Sequence, residues 1–381
     1  MGLSQVGELL RHLVRCDTTN PPGNEMVAAT VLADWLGERD VQAEIIEIEP
    51  GRANLVARVG SGASSPRIVI NTHFDVVPAG EGWSTDPRSG TIAAGRLFGR
   101  GAADAKGPLA AMAIALATLH EQGLGRGEVI LAAVADEEGA SAGARALLRD
   151  LRADAAIVGE PTSLKLVTCH KGSLRPVVEI QGRAAHAAQP EDGVNAVYGV
   201  GRLLAMMEQH GRELDARAHP LVGSPTILPV LVNGGEALNM VPERCRVTFD
   251  RRLVPGEQEE EVLAAVNGIL ERFNREHSGL TARLADLAPS TGGPSETAVD
   301  DPFVVACAAA LSGIGQGGER GGMQVNCDMS HFRRAGMPTV VYGPGSPSEM
   351  HVANESIALD ELDRGVAGYL AMVRAFLEGG G

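Results

Sequence analysis

The sequence predicts an α/β protein, with a mostly parallel central sheet interrupted by a smaller α+β domain. Apolar runs of strand length alternate with helix-length segments over the first 160 residues or so, as strands covered on both faces do. Near residue 174 the order becomes β-α-β-β-α-β, that of a ferredoxin-like unit. After a connector at 288–294 (APSTGGP) the α/β pattern resumes. The predicted boundaries are therefore 1–173 and 289–381 for the larger domain, with 174–288 between them.

Each element has a local reason. Val6, Leu9, Leu10, Leu13 and Val14 fall at helical spacing in 4–16, and a second helix is predicted over 24–38. Strands are predicted at 43–48, 54–59 and 67–71. Pro108 and Gly123 bracket a helix over 108–122. The apolar run 129–135 reads as a buried strand, 141–152 as a helix and 155–158 as a strand. In the smaller domain, strands at 177–181, 226–232, 246–252 and 280–287 enclose helices at 193–210 and 257–273. The last segment supplies a helix over 301–312, a strand over 338–342 and a helix over 359–378.

Composition narrows the function. The 381 residues are 44% hydrophobic, enough for a sizeable core. Forty-eight Asp and Glu outnumber 33 Lys and Arg, for a net charge of −15, so phosphate backbones and anionic membranes are unsuitable partners. Aromatics are only 3%, too few for base-stacking platforms. Five scattered cysteines without a CxxC fit a reducing compartment. No basic, apolar leader opens the chain, and the longest apolar run, 109–119, is too short to span a bilayer. The expected location is the cytoplasm.

Five clusters carry chemistry. Asn71-Thr-His73-Phe-Asp75 follows a predicted strand; alternate residues share a face, so His73 and Asp75 can meet in one cleft. Alone, it also fits a surface turn. The stretch 99–108 delivers Asp104 just before a helix, where a helix cap is an equal reading; it is not a phosphate-binding loop, because Lys106 precedes Gly107 and Pro108. Asp136-Glu137-Glu138-Gly139 ends a buried strand, where acids need solvent or cations. Glu160 ends another strand, and His351 follows the Gly343-Pro-Gly345 turn. Individually these are weak signals. Together, His73, Asp104, Glu137, Glu138, Glu160 and His351 fall at strand ends or a helix start, where open α/β sheets bind ligands. Two imidazoles and three carboxylates suit zinc, cobalt or manganese, and five ligands exceed one tetrahedral zinc. Two metals sharing Asp104 is the economical arrangement.

In this order and spacing, HFD at 73–75, GRGAADAKG at 99–107, DEEG at 136–139, GEPT at 159–162 and GPGSPSEMH at 343–351 resemble a known family. It is the aminoacylase / acetylornithine deacetylase / succinyl-diaminopimelate desuccinylase / carboxypeptidase G family of di-zinc metallopeptidases, and the resemblance covers essentially the whole chain. It implies a zinc-peptidase-like catalytic domain with an inserted lid and dimerisation domain. It further implies that His73 and Glu160 bind one metal, Glu138 and His351 the other, and that Asp104 bridges them. Asp75 would orient His73, and Glu137 would be the general base that later protonates the leaving amine. The stretch 182–196 (GRAAHAAQPEDGVNA) resembles the family's lid motif, so His186 would reach the partner subunit's site and hold the oxyanion. Asn239 and Arg252 match positions that bind the substrate carboxylate, and the Gly343 and Gly345 backbone would line the substrate. The stretch 326–332 (NCDMSHF) departs from the family's usual Thr/Ser-Asp-Ala/Gly, which leaves the acyl preference open; Asp328 keeps its place, and His331 fits a supporting role better than a ligand role.

The implied activity is hydrolysis of an N-acyl amino acid by a metal-dependent enzyme acting as a homodimer. A dipeptidase or a carboxypeptidase G-like exopeptidase is the alternative, with the same mechanism and a different pocket. A non-catalytic binder of amino-acid conjugates is disfavoured, because all five ligands and Glu137 are present. A structural metal site is disfavoured too, because such sites are usually closed by Cys and His.

Overall fold

A computed structural model describes residues 3–61 and 66–379. It divides into two compact units, one of residues 1–169, 296–322 and 327–381, the other of 170–295 and 323–326.

The first unit opens with helices α1 (Gln5–Arg15) and α2 (Glu25–Gly37) and strands β1 (Ala43–Glu49), β2 (Arg52–Gly60) and β3 (Arg67–His73). Helix α3 (Lys106–Gln122), β4 (Glu128–Val134), α4 (Ala142–Leu147), β5 (Ala155–Val158) and β6 (Leu166–His170) follow. The second unit holds β7 (Gly172–Gln181), α5 (Ala196–Glu213), β8 (Thr226–Gly234), β9 (Arg244–Leu253), α6 (Glu259–Glu276) and β10 (Thr281–Ala288). The chain then adds α7 (Pro302–Gly313), α8 (Met329–Arg334), β11 (Thr339–Val341) and α9 (Leu359–Gly379) to the first unit.

The main sheet runs β1-β2-β4-β3-β5-β11-β6. Its centre, β4-β3-β5-β11, is parallel. The flanking pairs β1/β2, β2/β4 and β11/β6 are antiparallel, so the sheet is mixed rather than parallel throughout. Every residue of β4 is buried, as its unbroken apolar run requires. Helix α3 packs against α1, α9 and β3 and buries eleven of its seventeen residues. In the second unit the sheet runs β8-β9-β7-β10, all antiparallel, with α5 and α6 on one face.

Three expectations shift. Helix α3 begins at Lys106, not Pro108; a proline fits anywhere in the first turn, whose N–H groups have no partner within the helix. Helix α4 stops at Leu147, well short of 152, and the chain is drawn to β3 by Asp154, whose carboxylate accepts from the Arg67 N–H at 2.7 Å. Strand β6 and helix α8 were not expected; each is five or six residues long and has no periodicity to read.

Candidate metal centre

The four parallel strands deliver the site at their carboxyl ends. Strand β3 ends on His73, β4 runs into Asp136-Glu137-Glu138, β5 leads to Glu160, and β11 leads to Gly343. Asp104 comes from the segment before α3, where Gly107 is required: a Cβ there would lie 2.5 Å from the Ala102 carbonyl oxygen. His351 is carried by the loop before Ser356–Ala358 and has a positive φ of 61°.

The Asp104 carboxylate sits between two histidines. Its Oδ1 is 3.4 Å from His73 Nε2 and its Oδ2 is 3.2 Å from His351 Nε2. His351 Nε2 is also 2.9 Å from Glu138 Oε1, and His73 Nε2 is 3.9 Å from Glu160 Oε1. His73, Asp104 and Glu138 each offer a ligand atom within 4.8 Å of the others, and so do His73, Glu137 and Glu160. His73, Asp104, Glu137 and Glu160 are buried, whereas the His351 side chain is 47% exposed. Asp75 touches this cluster through both its backbone and its carboxylate. His73 Nδ1 lies 2.9 Å from the Asp75 carbonyl oxygen and 3.5 Å from its Oδ1. The Asp75 carboxylate also accepts from the N–H groups of Glu137 and Glu138, both at 3.1 Å, and from Asn20 Nδ2 at 2.9 Å.

These residues fit a metal pair. A proton on His73 Nδ1, donated to the Asp75 carbonyl, leaves the Nε2 lone pair facing two carboxylates. That Nε2 is buried and makes no hydrogen bond. A neutral His73 would set that lone pair against carboxylate oxygen, which is repulsive unless a cation, a proton or a metal, lies between. Among the described residues, the ion pairs of Asp104, Glu138 and Glu160 are all with histidines, never with Lys or Arg. Burial pushes Glu137 and Glu160 well above the usual carboxylate range, and neighbouring acids add to this although His73 opposes it. Burial disfavours a charged His73, yet Asp104, Asp75, Glu160 and Glu137 outweigh it and raise its pKa well above normal. The cluster calls for positive charge, and divalent cations with nitrogen and oxygen preferences supply it.

The sequence profile of peptidase family M20/M25/M40 matches residues 69–375. The chain belongs to this family. It is a metal-dependent hydrolase. An acetylornithine deacetylase of Edwardsiella ictaluri is 33% identical over 343 residues, covering 87% of this chain and 86% of that protein. A probable succinyl-diaminopimelate desuccinylase of Staphylococcus epidermidis is 30% identical over 413 aligned residues, covering 97% of each. Among solved structures, a tripeptidase from Staphylococcus aureus superposes with a TM-score of 0.82 over 99% of both chains at 19% identity, a likeness of fold.

In this M20 chain, the backbone at Gly343 and Gly345 is tied into the site's frame. The Gly343 N–H donates to Thr162 Oγ1 at 3.1 Å and the Gly345 N–H to Glu361 Oε1 at 3.1 Å. Gly343 is needed for close approach: a Cβ there would lie 2.5 Å from the Glu160 carbonyl oxygen. In the second unit, His186 is exposed and bridges Met240, and the Ala187 N–H donates to the Asn239 carbonyl at 2.9 Å. His186 Nδ1 accepts from the Ala188 N–H at 3.1 Å, which puts the ring proton on Nε2. Arg252 on β9 grips Asp250 through Nε at 2.7 Å and Nη2 at 3.2 Å. Asp328 precedes α8 and is buried with both oxygens lacking a hydrogen bond, and His331 is buried on α8.

Two supporting residues escaped sequence reading. Asn20 ties Asp75 to Asp136, donating to the latter at 3.0 Å. Glu355 accepts from the backbone at Asp104. Neither sits in a motif that marks chemistry, because each acts through backbone or neighbouring side chains.

Proposed function

We propose that the protein hydrolyses the amide of an N-acylated amino acid in the cytoplasm, as a homodimer, with two divalent metals per chain. Zinc is the first choice, with cobalt or manganese as substitutes. The observation that carries this reading is Asp104, placed with one oxygen toward each of two histidines, as a bridging ligand needs. The curated relatives named as a deacetylase and a desuccinylase supply the substrate class.

His73 and Glu160 would hold one ion, Glu138 and His351 the other, and Asp104 both. Such a pair lowers the pKa of water and polarises the scissile carbonyl. Glu137 accepts the proton of the attacking water and returns it to the leaving nitrogen; its backbone is fixed by Asp75 and its carboxylate is buried beside His73 and Glu160. His186, with its proton on Nε2, is a donor suited to the developing oxyanion, offered from the partner subunit. Arg252, aligned by Asp250, and Asn239 would receive the substrate carboxylate. Strand β8 supports the dimer: it is an edge strand that exposes Leu228 at 60% and Leu231 at 59%. The charge of −15 argues against nucleic acid and anionic membranes as partners, and no described helix is long and apolar enough to cross a membrane.

The test is amine release from N-acetylornithine, other N-acetyl amino acids, N-succinyl-diaminopimelate, an N-acyl glutamate and dipeptides. Turnover of N-acyl amino acids above dipeptides is expected. Turnover of dipeptides alone would make the enzyme an exopeptidase.

A further inference from the structure

The two loops that carry Asp104 and His351 are held together by one buried carboxylate that belongs to neither ligand set. Glu355 is fully buried, four residues after His351. Its Oε1 accepts from two consecutive backbone N–H groups, Ala103 at 2.9 Å and Asp104 at 3.0 Å. Its Oε2 accepts from Arg100 Nη1 at 2.6 Å, and Arg100 Nη2 donates to the Ala79 carbonyl at 3.2 Å. The Glu355 carbonyl accepts from the Gly99 N–H at 2.9 Å. The neighbouring Asn354 pins the same loop to residues 82–84, its Oδ1 accepting from the Ser84 N–H at 2.8 Å and from the Ser84 hydroxyl at 2.7 Å.

The geometry points to Glu355 as a positioning residue that sets the register of His351 against Asp104 and so fixes the site of the second metal. This rests on the two-metal reading above. The physical reason is separation along the chain. Asp104 and His351 are 247 residues apart, and the loop of His351 has an unusual backbone: His351 has a φ of 61°, and Asn354 one of 59°. Neither loop is held in a helix or strand at its ligand. A side-chain carboxylate of one loop that accepts from two adjacent backbone amides of the other fixes both the distance and the angle between them. Arg100 meets the charge that burial would otherwise leave uncompensated. His351 is the more exposed of the two histidines, so its place depends more on this clasp than on packing.

Cobalt(II) titration of the full-length, metal-stripped chain tests this, followed by calorimetry and by the visible absorption of the bound ion. The wild type is expected to take up two ions. Glu355→Ala is expected to weaken one of them roughly 10–100-fold and to change the visible spectrum, with the other ion kept near wild-type affinity. Glu355→Gln keeps an oxygen for the two amides and is expected to recover part of the loss. It also serves as the test should the alanine variant not fold. Folded variants that bind two cobalt ions with wild-type affinity and spectrum would overturn the assignment, as would a loss of thermal stability with no change in either readout. A wild type that binds fewer than two ions would instead overturn the two-metal reading itself.

Discussion

Asp104, Glu137 and Gly343 illustrate three separate reasons why a residue is held at this site. Asp104 is placed by charge geometry, one oxygen per histidine. Glu137 is placed by its backbone, tied to Asp75 at 3.1 Å, and its carboxylate lies beside His73 and Glu160. Glu137→Gln is therefore expected to lower turnover by about 10²–10⁴-fold while two metals still bind, checked by amine release beside metal analysis. Near-normal turnover would remove the base assignment. Gly343 is placed by sterics. In Gly343→Ala the new methyl would displace the Glu160 backbone, so metal affinity should fall while the circular dichroism spectrum is retained. The clustered acids and histidines were legible in the sequence because strand ends concentrate them and His, Asp and Glu announce their chemistry. Glu355, Asn20 and the Thr162 hydroxyl that takes the Gly343 N–H were not, because their partners are backbone groups or side chains far away in sequence.

The elements show why some of the fold could be read and some could not. Strands β3, β4 and β5 are short apolar runs between turns, and the structure buries them within a residue or two of their expected bounds. The centre of that sheet sets stability. Leu131 is fully buried on β4, between β2 and β3, so Leu131→Ala should cost about 2–5 kcal/mol in urea unfolding. A cost below 1 kcal/mol would show that the sheet collapses around the gap. The antiparallel flanks of the sheet were not legible, since strand direction depends on pairing across the fold and not on local pattern. Strand β8 carries the opposite message: its exposed apolar edge calls for a partner. Leu231→Lys is expected to give monomers in analytical ultracentrifugation with metal content unchanged. Lost turnover in those monomers would support His186 acting across the dimer, and retained turnover would confine the chemistry to one chain.

At the scale of the whole molecule, the first unit gathers residues from 73 to 351 into one carboxylate-rich cluster, buried except at His351, and the M20 profile covers that stretch. Within the second unit, His186 Nδ1 accepts from the Ala188 N–H and Arg252 is held by Asp250. The central claim is that this cluster is a two-metal hydrolytic centre for N-acyl amino acids. Its most direct test is to strip the protein with a chelator and follow amine release from N-acetylornithine and its analogues as zinc or cobalt is returned. The expected result is no turnover without metal and recovery that levels off near two equivalents per chain. Turnover that survives complete removal of metal would contradict it.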